Sequence, residues 1–76
     1  MNNYITIMYT NISREEQLSE VSACLSVFTD INDWTIDFGD IDKVLRISSR
    51  KEIDGQVSNA LREVGLMSTV KEVFPC

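Results

Sequence analysis

The chain has 76 residues, 43% of them apolar and 25% charged, and a formal net charge of −5. That length holds one domain, residues 1–76, with a thin core, and the composition is that of a folded protein. The negative charge repels nucleic acid and anionic lipid, and no apolar run approaches the roughly 18 residues needed to span a bilayer, so no nucleic acid and no membrane is an expected partner.

Residues 4–9, Tyr4-Ile5-Thr6-Ile7-Met8-Tyr9, are β-branched and aromatic and suit a strand. Ile5, Ile7 and Tyr9 share one face, taken as core; Tyr4, Thr6 and Met8 share the other. After the connector Thr10-Asn11-Ile12, Ser13-Arg14-Glu15-Glu16 has the S-x-x-E form of a capping box. Leu18, Val21, Cys24, Leu25 and Phe28 then recur at spacings of three and four, which predicts an amphipathic helix over 14–28. Asp30, Asn32 and Asp33 mark a loop. Trp34, Ile36 and Phe38 alternate as a second strand. Lys43 to Ser48 form a third, with Leu45 and Ile47 on one face and Val44, Arg46 and Ser48 on the other. The short turn between them predicts an antiparallel hairpin.

Ser49-Arg50-Lys51-Glu52 is a second S-x-x-E motif. Ile53, Val57, Ala60, Leu61 and Val64 follow with helical spacing, and Gly65 stands where a left-handed C-terminal cap is expected. Gly55 lowers the helix propensity of this segment. A last strand is expected over 68–74, ended by Pro75. The order is β-α-β-β-α-β. It predicts an α+β, two-layer sandwich: a four-stranded antiparallel sheet with both helices on one face and the other face open.

The chemistry-bearing residues have simple structural explanations. Cys24 lies on the apolar stripe of the first helix and fits core packing. Cys76 is the last residue and a weak candidate for a metal ligand. Glu15 and Glu16 suit the positive end of a helix dipole. Asp37, Asp40 and Asp42 suit a turn, and their spacing is not that of an EF-hand loop. Trp34 fits a core or edge position. The chain has no histidine, two widely spaced cysteines and no basic leader segment, so the expectations are no disulfide framework, no enzyme and a cytoplasmic location.

Three segments together resemble the heavy-metal-associated domains, the small ferredoxin-like modules of copper chaperones and metal-pumping ATPases. They are Thr10-Asn11-Ile12; Ile31-Asn32-Asp33-Trp34-Thr35-Ile36-Asp37 with Asp42-Lys43-Val44-Leu45; and Ile53, Val57, Ala60, Leu61 with Gly65. The resemblance implies a ferredoxin-like fold. The family's activity rests on a C-x-x-C motif at the mouth of the first helix, where two thiolates bind Cu(I) or Zn(II). The matching positions here hold Arg14 and Gln17, so no metal ligand and no cofactor is carried over.

The expected function is a non-enzymatic binding module whose metal site is lost, working in a metal-homeostasis setting. A protein partner would dock on the open sheet face, Tyr4, Thr6, Met8, Val44 and Arg46, or on the former metal loop, Ser13, Arg14, Glu15, Glu16 and Gln17. The expected state is a monomer or weak dimer. The alternative is a copper or zinc accessory protein that uses a relocated site such as Cys76. Acylphosphatases share the topology, but Arg14 has no glycine-rich phosphate cradle around it. RNA-recognition domains share it too, but the charge and the scarcity of suitably placed aromatics argue against base stacking.

Overall fold

A computed structural model of the chain describes residues 3–39 and 41–75. The elements are β1 (Tyr4–Thr10), a 3-10 turn (Glu15–Gln17), α1 (Leu18–Leu25), β2 (Ile31–Asp37), β3 (Val44–Ser49), α2 (Asp54–Glu63) and β4 (Ser68–Pro75). The strands form one sheet in the order β2-β3-β1-β4, and every neighbouring pair is antiparallel. Met8, Leu45 and Ile47 on one face of the sheet join Val21 and Leu25 of α1 and Val57 and Leu61 of α2 in a single buried cluster. Both helices therefore cover the same face. This is the ferredoxin-like sandwich that the element order predicts.

Strand β1 faces the opposite way from the expectation. Thr6 and Met8 are fully buried beneath the helices, opposite Ile47 and Leu45, whereas Ile7 and Tyr9 turn to the open face; Ile5, of the same parity, is buried as expected but lies outside the cluster under the helices. The strand carries apolar side chains at both parities, so alternation alone does not choose a face, and a one-residue choice inverts every side chain. Met8 fills the inner layer with a flexible thioether. The Thr6 hydroxyl, also inside, has no hydrogen-bond partner among the described residues.

The first helix is shorter than its apolar stripe. It opens as a 3-10 turn and closes at Leu25 rather than running over 14–28. Val21 and Leu25 are buried, and Leu18, Cys24 and Phe28 are half-buried at its rim. Strand β2 begins at Ile31, earlier than expected, because the polar Asn32 is taken up in a bulge between Ile31 and Asp33. Phe38 lies beyond its end.

The second S-x-x-E motif caps nothing. Ser49 is the last residue of β3, fully buried, paired with Tyr4 and Ile31, and its hydroxyl donates to the Lys51 carbonyl at 2.6 Å. The sheet claims Ser49, and α2 starts only after Ile53 has turned into the core. The far end of α2 matches its prediction. Gly65 takes φ +83°, Gly65 N–H donates to the Arg62 carbonyl at 3.0 Å, and Leu66 N–H donates to that of Leu61 at 2.9 Å. This is a Schellman cap, with Leu66 buried behind it.

Candidate functional site

The mouth of the first helix is built on strand β1. Thr10 N–H donates to the Asp42 carbonyl at 3.0 Å, and the Thr10 hydroxyl donates to that of Lys43 at 2.6 Å. The same hydroxyl accepts from Ile12 N–H at 3.2 Å. Asn11 N–H donates to the Met67 carbonyl at 3.3 Å, and Met67 N–H returns a bond to Asn11 Oδ1 at 3.0 Å. Ile12 is fully buried in the core. The loop is thus fastened to the β2–β3 turn, to the α2–β4 turn and to the interior before it reaches the helix.

A cap closes the mouth, one residue later than the S-x-x-E motif predicts. Gln17 Oε1 accepts from Ser13 N–H at 2.9 Å and from Arg14 N–H at 3.1 Å. Arg14 is the extended residue that precedes the turn, and its carbonyl receives Gln17 N–H at 3.0 Å. Glu16 therefore does not reach back as a capping side chain. Its carboxylate lies 3.6 Å from Arg14 Nε, with both side chains largely in water, so the pair contributes little. The lone pairs of Gln17 are engaged by backbone donors, and Arg14 brings a fixed cation.

Among the described residues, no group of three or more histidine, cysteine, aspartate or glutamate side chains converges on a point. Cys24 is half-buried on α1, with Sγ 3.6 Å from the Ala60 carbonyl. Burial pushes its thiol above the ordinary value of 9.0, and the carboxylates of Glu20 and Glu63 add to the shift. That keeps it a neutral, poorly nucleophilic thiol. Cys76 and Asp40 lie outside the described residues. Asp37 Oδ1 accepts from Gly39 N–H at 3.0 Å, the turn role expected of it.

The open sheet face differs in membership from the expected surface. Thr6 and Met8 are not on it, because they are the inner residues of β1, and Tyr4 shares their parity at the sheet's end. Val44 and Arg46 are on it, opposite Asp37 and Thr35 of β2. Ile7, Tyr9 and Phe74 join them, with Lys71 Nζ 5.7 Å from the centre of the Tyr9 ring. A shallow depression of about 150 Å³ on this face is lined by Asp33, Trp34, Thr35, Arg46 and Ser48. Trp34 sits half-buried on an edge strand and packs against the core. Sequence reasoning missed Ile7, Tyr9 and Phe74. The sequence carries no signal for Ile7 and Tyr9 in particular, because β1 is apolar at both parities.

No protein-family model matches the chain, and no curated protein matches it in sequence. Among solved structures, the chain is similar to the solution structure of the N-terminal domain of ZntA in its Zn(II) form. The TM-score is 0.78 over 93% of this chain and 96% of that one, at 14% identity. The likeness shows the fold alone, a ferredoxin-like sandwich, as expected from the sequence.

Proposed function

We propose that this chain is a non-catalytic binding module on a heavy-metal-associated type of scaffold, in which the helix mouth has been given over to structure. The observation that carries the reading is the engagement of Gln17. Its carboxamide oxygen ties down the Ser13 and Arg14 amides at one of the two positions where the resembling family places thiolates. Arg14 occupies the other position, and its positive charge disfavours a metal cation. The N-terminal domain of ZntA, which shares this fold, was solved in a Zn(II) form, and this motivates the choice of metal in the test below.

A protein partner is the proposed cargo, taken up on the open sheet face around Ile7, Tyr9, Val44 and Arg46. The proposed setting is metal homeostasis in the cytoplasm. The test is an anaerobic titration of reduced, untagged protein with Cu(I) and with Zn(II) against a competing chelator, repeated on Cys76→Ser. The expected result is no binding by either form at micromolar metal. Binding by the native chain that vanishes in Cys76→Ser would overturn the reading and place the family's role at a relocated thiol.

A further inference from the structure

The sheet ends in two edges, β2 and β4. Strand β2 carries Asp33 and Asp37 and no basic residue, so two copies of it bring acid to acid. Strand β4 is different. Its central residues are Lys71 and Glu72, both exposed, flanked by half-buried Val70 and Val73.

A bulge makes this edge self-complementary. Glu72 stands opposite Ile7 and Val70 opposite Met8, so Lys71 is the extra residue between them. Lys71 reaches over the Tyr9 ring on the open face, the face that Glu72 also takes as the neighbour of Ile7. Val70 and Val73 both lie on the helix side, opposite Met8 and Thr6. In a regular strand, two-fold antiparallel pairing always opposes residues of equal parity, and Lys71 would never meet Glu72. The bulge shifts that parity. Across a two-fold axis between Lys71 and Glu72, each lysine faces the glutamate of the other copy, Val70 faces Val73, and Thr69 faces Phe74. Every opposed pair then shares a face.

We propose that the β4 edge is a docking surface for β4 of a second copy of this chain, paired antiparallel with Lys71 opposite Glu72 of the second copy. The pairing joins two sheets into one of eight strands and hydrogen-bonds backbone that is otherwise an open edge. Bulges and edge lysines ordinarily blunt an edge against indiscriminate pairing; here they select one register. The charge of −5 on each copy opposes approach, so association belongs at high protein concentration.

Sedimentation equilibrium of the full chain, from about 10 µM to about 1 mM, tests this by mass action. The expected mass rises with concentration from 8.7 kDa towards twice that value. Lys71→Glu is expected to weaken association by about tenfold or more, since it sets like charges opposite one another twice. The double swap Lys71→Glu with Glu72→Lys restores it. Circular dichroism confirms that each variant is folded. A native chain that stays at 8.7 kDa, a mass that grows beyond the dimer, or a double swap that fails to recover overturns the proposal.

Discussion

Thr10 and Lys43, 33 positions apart, are joined by a 2.6 Å hydrogen bond from hydroxyl to carbonyl. Lys43 has φ +47°, unfavourable for a side-chain-bearing residue. It is held at both ends, because its ammonium also donates to the Phe38 carbonyl at 2.9 Å. Thr10→Val keeps the shape and removes the clamp, so it is expected to cost about 1–2 kcal/mol. Urea unfolding measures that loss, and an unchanged midpoint would show the clamp to be idle.

Gln17 caps the first helix through its side-chain oxygen. Gln17→Ala leaves the Ser13 and Arg14 amides to water and should destabilise the fold by about 0.5–1 kcal/mol. Gln17→Glu preserves the acceptor and adds a favourable charge at the positive helix end, so it should retain or exceed native stability. Amide hydrogen exchange at Ser13 and Arg14 separates the two: fast in the alanine variant, slow in the glutamate one.

Thr6 offers a stabilising change. Its buried hydroxyl lacks a partner among the described residues, and valine has nearly the same shape. Thr6→Val is expected to gain about 1 kcal/mol by removing an unsatisfied polar group. A thermal melt showing a lower midpoint would mean that the hydroxyl does bond in solution.

The glycines at positions 55 and 65 should respond oppositely to alanine. An added Cβ at Gly55 meets nothing within 4 Å, and the residue lies in the first turn of α2, so Gly55→Ala should stabilise by about 0.5–1 kcal/mol. Gly65 has equal room but a φ of +83°, so Gly65→Ala strains the cap and destabilises by about 1 kcal/mol. Paired denaturation curves check both signs.

Cys24 gives a pH dependence. Its folded-state value lies above the ordinary 9.0, so the folded chain holds the thiol proton more tightly than the unfolded chain. The contribution is fully present below 9.0 and is lost as pH climbs through the folded value. In a Cys76→Ser background, thiolate absorbance should appear later in the folded protein than in urea. Coincident titrations would refute this.

Periodicity captured what depends on periodicity. The spacing of Ile53, Val57 and Leu61 identified α2, Gly65 its end, and Leu45 with Ile47 the inner face of β3. It failed where two answers have the same pattern. Ile5 with Ile7 and Thr6 with Met8 are both plausible inner sets, and only tertiary packing chooses between them. The two S-x-x-E motifs failed because a cap is a competition. Gln17 outreaches Glu16 at the first helix, and the sheet holds Ser49 at the second. That Arg14 and Gln17 stand at the helix mouth is read from residue identity, but that Gln17 rather than Glu16 caps it follows only from the local geometry. The open face was not legible, because membership follows from the orientation of β1.

The reciprocal bonds between Asn11 and Met67 carry a consequence for cooperativity. Together with the Thr10 clamp they link segments near positions 11, 43 and 67, which are remote in the chain. Loops usually open on their own, well below the energy of global unfolding. Loops bound to one another have no private exit: releasing one means losing its partners. This end of the molecule should therefore melt with the core, in a single step.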